Sequence, residues 1–320
     1  MIKDGLVRNM RILFMGTPDF ALPTLRALCE SGHEIVGVVT KVDMPRGRGH
    51  HLMPTPIKVY ALEQGIPVYQ PNTLKGDEFA ATLAELDPEM IVVVAFGKIL
   101  PRNVLDYPKY GCVNVHGSLL PEYRGAAPMQ RAIIDGKKVT GITTMMMADG
   151  IDTGDMLLKA EVEIGENDNF EVIHDKLADC GAKLLIKTVE GLEKGEIVPE
   201  KQDESMATHA AKIEKSDCLL DFSKDASVLH DLIRGLSPVP LAFTHTPDGK
   251  LLKIVESRVD DVDRVSDKPC GTVISVGDDI KVACGKGILS FRAVVPEGKG
   301  KMGAADFVRG RRISEGDMLK

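Results

Sequence analysis

The feature that most constrains this fold is an almost unbroken apolar run, MIVVVAFG, at residues 90–97. Such a run, rich in β-branched residues, is typical of a strand that is buried on both faces, as in a parallel sheet covered by helices. Other short apolar runs, at 10–16, 33–40, 111–118 and 140–148, occur with helical stretches between them. Strands that alternate with helices predict an α/β fold, with a Rossmann-like, doubly wound and mostly parallel sheet.

The pattern changes near residue 200. Residues 201–212 are polar and aperiodic, and we interpret them as a linker between a first domain at 1–200 and a second domain at 213–320. The second domain contains one helical stretch and then several short strands separated by Gly and Asp turns. Short strands at close spacing predict a smaller, C-terminal β-barrel of the OB-like kind.

Composition narrows the class of protein. The chain has no run of about 18 apolar residues that would predict a membrane span. Its start lacks the apolar core of a signal peptide and the Arg-rich character of a transit peptide, so we expect a protein of the bacterial cytoplasm. The six scattered cysteines form no C-x-x-C pair and no metal spacing, which favours reduced thiols and a site without metal. We also expect a monomer.

Side chains suited to acyl transfer follow two of the predicted strands. Asn114 and His116 stand two residues apart near the end of strand 111–118, and therefore on one face. The loop after strand 140–148, with the sequence Asp-Gly-Ile-Asp-Thr-Gly, can turn the carboxylate of Asp152 inward. Ligands of open α/β sheets bind outside the carboxyl ends of the strands, so we predict that these three residues are catalytic.

An amide, an imidazole and a carboxylate suit the transfer of an acyl group to an amine. Asn114 and a protonated His116 can donate hydrogen bonds to the oxyanion of a tetrahedral intermediate, each donor being worth about 100- to 1000-fold in rate. Asp152 favours the charged imidazole and can help to take the proton that the amine loses. The alternative is that all three are structural, with Asp152 only a turn residue. Arg124 and Arg131 are expected to be solvated charges.

The stretch from 112 to 157 closely resembles the folate-dependent formyltransferases. Its sequence joins Asn-Val-His-Gly-Ser-Leu-Leu-Pro to Asp-Gly-Ile-Asp-Thr-Gly. The likeness extends through MGTPDFALPTLRAL, MPRGRGHHLMPTPIK, VVVAFGKILP and IRGLSPVPLAF, so that it covers nearly the whole chain from Met10. The RGAAPMQRAI stretch, and the Gly-Arg-Gly within MPRGRGHHLMPTPIK, resemble the sequences of one branch of the family, whose acceptor is initiator methionyl-tRNA.

The resemblance implies a catalytic trio of Asn114, His116 and Asp152, and 10-formyltetrahydrofolate as a co-substrate that is released as tetrahydrofolate. It implies a folate site made of two segments: Ser118, Leu119, Leu120 and Pro121, and a second one whose backbone would meet the pterin ring, Phe96, Gly97, Lys98, Ile99 and Leu100. For the tRNA it implies contacts from a loop at 41–56 that includes Arg46 and Arg48. Composition adds a basic set in the second domain: Lys253, Arg309, Arg311 and Arg312.

Three other functions fit parts of the pattern. A formyltransferase acting on a small amine, either a purine precursor or an amino sugar, would share the trio; the purine enzyme would lack a second domain, and the bifunctional amino-sugar enzyme would carry a Gly-rich nucleotide fingerprint that this sequence lacks. A non-catalytic RNA-binding protein would use the loop at 41–56 and the second domain. A dinucleotide dehydrogenase is disfavoured because the first strand ends in Gly16-Thr17-Pro18 rather than in a phosphate-binding turn.

Overall fold

A computed structural model describes residues 9–46, 51–310 and 312–320, and the chain forms two compact units. The first unit contains the chain up to residue 125 together with 141–162 and 174–209; the second contains 126–140, 163–173 and 210–320. Each unit is thus made of three separate stretches of chain, whereas the domain boundaries predicted at 200 and 212 divide the chain at single points. Those boundaries stay a prediction. Within the described ranges, none of the helices has both the length and the apolar character needed to cross a membrane.

The described residues of the first part of the chain form eleven strands, and seven of them pair in one large sheet. In chain order the strands are β1 (Arg11–Gly16), β2 (Glu34–Val39), β3 (Met44–Arg46), β4 (His51–Met53), β5 (Val68–Tyr69), β6 (Met90–Val94), β7 (Cys112–His116), β8 (Arg124–Gly125), β9 (Val139–Met146), β10 (Met156–Glu163) and β11 (His209–Ala210). The sheet order is β10-β9-β7-β6-β1-β2-β5. The pairs from β5 to β7 are parallel, and β9 runs antiparallel to β7. The predicted Rossmann-like, mostly parallel α/β sheet is confirmed.

The centre of this sheet is apolar on both faces. All five residues of β6 are buried, as the β-branched run predicts. On one face Leu13 and Ile91 pack in a core cluster with Phe79 and Leu83 of a helix. The helices are α1 (Leu22–Glu30), α2 (Pro56–Glu63), α3 (Asp77–Leu86), α4 (Arg102–Leu105), α5 (Pro128–Ile134), α6 (Phe170–Lys194), α7 (Ala226–Gly235) and α8 (Ala304–Arg309). Because β6 and β7 are parallel, their carboxyl ends lie at the same edge of the sheet.

The second unit is built around an antiparallel sheet. Its strands are β12 (Ala242–His245), β13 (Leu251–Asp261), β14 (Val273–Val276), β15 (Ile280–Ala283), β16 (Ile288–Pro296) and β17 (Met302–Gly303). They follow the order β12-β13-β16-β15-β14, and β17 pairs with β16. Leu229 and Ile233 of α7 share the core of this unit with Leu252 and Phe291 of the sheet. The prediction of a smaller, C-terminal β unit is confirmed as this antiparallel sheet.

The prediction of an irregular loop at 41–56 is wrong in part. β3 and β4 pair as an antiparallel hairpin in which Met44 is opposite Met53, and α2 begins at Pro56. Strands of three residues, rich in Met, His and Pro, are too short to leave a periodic signal in the sequence. The start of the segment is held by a hydrogen-bonded network of Asp43, Lys58 and Gln70.

Candidate active site

Asn114 and His116 occupy the carboxyl-terminal half of β7. Asn114 is paired with Val93 of β6 and with Met145 of β9, so neighbouring strands fix its backbone on both sides. Asn114 is half-buried, and the side chain of His116 is only 6% exposed. Alternate residues of a strand point to the same face, so the two side chains stand together where the sequence predicts them.

The imidazole of His116 lies between a carbonyl group and a carboxylate. Its Nε2 is 3.0 Å from the carbonyl oxygen of Tyr123, and because a carbonyl oxygen can only accept, Nε2 carries a hydrogen. Its Nδ1 faces Asp152 and is 3.6 Å from Oδ2. That separation is longer than a hydrogen bond, so Nδ1 is not bound to Asp152 and is open to a substrate atom next to the negative charge. The structure thus brings Asp152 to His116.

The loop that carries Asp152 follows an unusual path. The residue has φ +52°, in the left-handed region that L-residues seldom adopt. Two residues later, a Cβ added to Gly154 would lie 1.8 Å from the carbonyl oxygen of Met146, so only glycine allows the chain to pass β9 here. The backbone N–H of Gly125 donates to Oδ2 of Asp152 over 2.9 Å. The carboxylate is therefore held in place by a backbone group as well as by the turn.

Arg124 is not the solvated charge that we expected. It is 9% exposed, and its Nε donates to Oε1 of Gln202 over 2.9 Å. Its two terminal nitrogens donate to the carboxylate of Glu204 over 2.8 and 2.9 Å. These hydrogen bonds raise the pKa of the Arg124 guanidinium and lower the pKa of the Glu204 carboxyl. An arginine in a strand of two residues gives no sign in the sequence that a carboxylate 80 residues further along the chain will bind it.

Arg131, in the second unit, is not a free solvated charge either. Its Nη2 donates to Oδ2 of Asp217 over 2.7 Å, and its Nε donates to the carbonyl oxygen of Ala211 over 3.1 Å. The pKa of the Asp217 carboxyl is lowered, first by the backbone N–H of Glu214 and then by Arg131. Arg131 is therefore an anchor for the segment around 211–217 rather than a free surface charge.

The Ser-Leu-Leu-Pro segment that we predicted for folate is tightly built. Ser118 is fully buried, and its hydroxyl donates to the carbonyl oxygen of Glu122 over 2.6 Å. Thr143 connects the segment to β9, since its hydroxyl donates to the carbonyl of Ser118 and accepts from the N–H of Leu120. Leu120 is buried, whereas Leu119 and Pro121 are half-buried. The exposed part of the segment is therefore apolar, and the contact with folate stays a prediction.

The second predicted folate segment follows β6 directly. Phe96 and Leu100 are buried in the core, so only their backbone groups could meet a ligand. Gly97 has φ +69°, and an added Cβ would lie 2.7 Å from Nζ of Lys41. Lys98 directs its ammonium to the carbonyl oxygens of Pro71 and Asn72, and Ile99 is 79% exposed. The side chains of Phe96, Lys98 and Leu100 are thus directed to the protein, which agrees with a backbone role toward folate. That role stays a prediction.

The residues predicted to contact tRNA are spread over both units. The backbone of Arg46 belongs to β3, while Arg48 and Arg311 lie outside the described residues. Lys253 is half-buried on β13. Arg309 is exposed and forms an ion pair with Asp306, and the guanidinium of Arg312 stacks on the ring of Phe307. Arg312 lines a cavity of about 520 Å³ together with Lys250 and Lys299. These cations remain candidates for binding phosphate.

In the described part of the chain, no three His, Cys, Asp or Glu side chains are grouped so that they could hold a metal ion. The prediction of a metal-free site is not tested by this observation.

Comparison with known proteins identifies the family. The sequence matches the family model of formyl transferase over residues 10–189, and that of the formyl transferase C-terminal domain over residues 212–312. The chain belongs to the formyl transferase family. Methionyl-tRNA formyltransferase of Bacillus subtilis is 49% identical to it over 311 residues, which cover 97% of each chain. That of Citrifermentans bemidjiense is 48% identical, over 97% of this chain and 96% of the relative. The resemblance stated from the motifs is confirmed.

A solved structure adds the fold. HypX from Aquifex aeolicus, in complex with tetrahydrofolic acid, aligns with 94% of this formyltransferase at a TM-score of 0.62 and 15% identity. This chain spans 47% of that longer one. At such low identity the likeness concerns the architecture alone.

Sequence reasoning missed the residues that hold this formyltransferase site together. Gln202 and Glu204 come from the segment that we interpreted as a linker, and the N–H of Gly125 and the carbonyl of Tyr123 are backbone groups. Thr208 of the same segment accepts the N–H of Tyr123 and thereby joins it to the turn after β7. A polar, aperiodic stretch gives no local signal for such contacts, because they depend on pairs about 80 residues apart.

Proposed function

We propose that this protein transfers the formyl group of 10-formyltetrahydrofolate to the α-amino group of initiator methionyl-tRNA, in the bacterial cytoplasm and as a monomer. The observation that carries the proposal is the Asn114, His116 and Asp152 arrangement at the carboxyl edge of the sheet, with His116 Nδ1 3.6 Å from Asp152 Oδ2. Its relatives at 48–49% identity are named for this reaction. The choice of tRNA as acceptor rests on those relatives.

In this reaction the methionine amine attacks the formyl carbon, a new carbon–nitrogen bond forms, and the bond to the folate nitrogen breaks. The side-chain amide of Asn114 donates a hydrogen bond to the formyl oxygen as that atom becomes negative. His116, whose Nε2–H is held by the Tyr123 carbonyl, adds in its protonated form an Nδ1–H that faces the site. Asp152 receives the proton that the amine loses, directly or through water, and the proton is returned to the folate nitrogen that leaves.

The residues fit a folate co-substrate. The formyl group must lie within reach of Asn114 and His116, and the two segments that flank them, 96–100 and 118–121, expose apolar side chains and backbone groups, while the ammonium of Lys98 is directed to the carbonyls of Pro71 and Asn72. Ile99, which is 79% exposed, offers an apolar contact to a flat ring. A Cβ at Gly97 would lie 2.7 Å from Nζ of Lys41, so a side chain here would crowd the edge at which the backbone is to meet the ring. When bound, the co-substrate supplies the activated formyl group.

The tRNA would be held by contacts outside this edge of the sheet. The hairpin of β3 and β4 has a base that is fixed by Asp43, Lys58 and Gln70, and it carries exposed Met44, Leu52 and Met53. Arg46 and Arg48 of the same segment, and Lys253, Arg309, Arg311 and Arg312 of the second unit, are the cations that we assign to phosphates. Phosphate contacts of this kind fix the position of the acceptor without reading its sequence.

Single-turnover formylation with 10-formyltetrahydrofolate tests the proposal, with methionyl-tRNA of the initiator and of the elongator kind as acceptors. We expect rapid formylation of the initiator, weakened by added salt as phosphate contacts require. If neither tRNA is formylated while folate still binds, the acceptor is instead a small amine. A non-catalytic RNA-binding protein would bind tRNA equally well after His116→Ala and would formylate nothing.

A further inference from the structure

We infer that Gln202 is a positioning residue for this reaction, which holds the backbone of the Asp152 loop so that the carboxylate faces His116. The inference rests on the proposed function, because it takes Asp152 as the group that handles the proton. Gln202 lies in the polar segment at 201–209 of the first unit and is half-buried. None of the sequence motifs includes it.

The amide of Gln202 bridges two carbonyl groups of the Asp152 loop. Its Nε2 donates to the carbonyl oxygen of Asp152 over 2.7 Å and to that of Gly154 over 2.8 Å. An amide nitrogen has two hydrogens, so both donors are used. The two carbonyls flank Thr153, and together they fix the turn in which Asp152 adopts φ +52°. A left-handed residue other than glycine persists only where surrounding contacts impose it.

The orientation of this amide is set from its other end. Oε1 of Gln202 accepts a hydrogen bond from Nε of Arg124 over 2.9 Å. Arg124 has only donors and the two carbonyls have only acceptors, so exchanging the oxygen and nitrogen of the amide would set like against like at every contact. Arg124 is fixed in turn by the carboxylate of Glu204. The amide therefore has one orientation that satisfies its partners.

The short strand β8, which contains Arg124, also holds the side chain of Asp152. Gly125, the residue after Arg124, donates its N–H to Oδ2 of Asp152, the oxygen that lies 3.6 Å from His116. Backbone and side chain of Asp152 are thus both tied to β8, one through Gln202 and one directly. Without Gln202, the loop backbone loses the two hydrogen bonds that help to position the Asp152 carboxylate. Catalysis is sensitive to such shifts, since a misplacement of about 1 Å can cost about 100-fold in rate.

The test compares three variants with the unmodified protein in steady-state formylation, which yields kcat and KM separately. Gln202→Ala removes both donors. Gln202→Glu keeps the volume and the contact with Arg124 but directs an oxygen at the two carbonyls. The matched control is Asp203→Ala, which removes the hydrogen bonds that Asp203 makes to Ser205 in the same segment and leaves the hydrogen bonds of Gln202 with the Asp152 loop in place. We expect kcat to fall between about 10- and 100-fold in both Gln202 variants. KM for both substrates and the thermal unfolding midpoint should stay close to those of the control.

A double-mutant cycle separates positioning from a general structural role. In an Asp152→Asn background, Gln202→Ala should lower the rate by no more than about threefold, because residues that act as one unit are not additive. Losses that multiply, or a rise in KM with unchanged kcat, would overturn the inference. If the unmodified protein formylates no methionyl-tRNA, the proposed function fails, and crystal structures then decide the inference separately. Asp152 should leave the left-handed region in Gln202→Ala and keep it in Asp203→Ala; an unchanged Asp152 in Gln202→Ala would refute the positioning role.

Discussion

The guanidinium of Arg124 binds the carboxylate of Glu204 through two hydrogen bonds, although the arginine side chain is 10% exposed and the glutamate side chain 72%. The two side chains therefore differ in their access to water: water can take the place of Arg124 at Glu204, whereas Arg124 depends on the protein for its hydrogen-bond acceptors. An Arg–carboxylate fork fixes direction as well as distance. This relationship makes the polar segment at 201–209 part of the site, because Arg124 also orients Gln202.

The pair predicts a pH dependence of stability. Arg124 lowers the pKa of Glu204 below its ordinary value of 4.5, so the stabilisation is fully present above that value and is lost as pH falls through the lower pKa of the folded state. We expect Glu204→Gln to lower the unfolding midpoint at about pH 6 and to have a smaller effect near pH 3, because the native carboxyl takes up a proton as the pH falls towards its lowered pKa. The control is Glu315→Gln, at an exposed carboxylate of the second unit, which should be neutral at both. A Glu204→Gln effect of the same size at both pH values would contradict the assignment.

Asn114→Ala tests the proposed contact with the formyl oxygen. Removing one donor to a developing oxyanion costs about 100- to 1000-fold in kcat, whereas a donor that only binds substrate changes KM. We expect the loss in kcat, measured by steady-state formylation, with KM for folate and tRNA changed only a few-fold. Asn103→Ala, at an exposed position of α4, serves as the control. A raised KM with normal kcat would show that Asn114 binds the ground state instead.

Gly154→Ala tests the path of the Asp152 loop. The added methyl group would meet the carbonyl oxygen of Met146 at 1.8 Å, and a backbone atom in a strand of the central sheet cannot move aside cheaply. Overpacking of this kind costs about 1–3 kcal/mol, so the urea midpoint and the formylation rate should both fall. At Gly300 nothing lies within 4 Å of an added Cβ, and Gly300→Ala should leave the midpoint unchanged. A stable and active Gly154→Ala protein would mean that the loop has another course.

Local pattern and motif encode only some parts of this molecule. The buried run at 90–97 predicts β6, and the strand end and the glycine turn predict the positions of Asn114, His116 and Asp152, because both features follow from residue type. The hairpin at 44–53 escapes prediction because its strands have three residues each. The contacts of Arg124 with Gln202 and Glu204 join positions about 80 residues apart and leave no periodicity. The division of each unit into three separate stretches of chain likewise leaves no local signal in the sequence.

The candidate phosphate contacts of the second unit predict a salt effect. The logarithm of the affinity for methionyl-tRNA should fall linearly with the logarithm of the salt concentration, and each lost phosphate contact should reduce the steepness of that slope by about 1. We expect the reduced slope for Lys299→Gln and for Arg312→Gln, whose side chains line one cavity. Lys268→Gln, at an exposed position of the same unit, is the control and should keep the slope. Unchanged slopes in the first two variants would remove these residues from the tRNA surface.

The six thiols differ enough in environment to be told apart chemically. Burial raises the pKa of Cys112 and of Cys284 to about 12, whereas Cys270 is exposed. Alkylating reagents attack the thiolate, and a pKa of about 12 leaves only about one thiol in ten thousand ionised at pH 8. We expect iodoacetamide to modify Cys270 first, as located by peptide mass spectrometry, and to leave Cys112 and Cys284 unmodified until the protein unfolds. Cys270→Ser should remove the fast reaction, and urea should make all remaining thiols reactive. Early labelling of Cys112 would mean that the core between β7 and α4 opens, because the Cys112 thiol donates to the carbonyls of Val104 and Leu105 there.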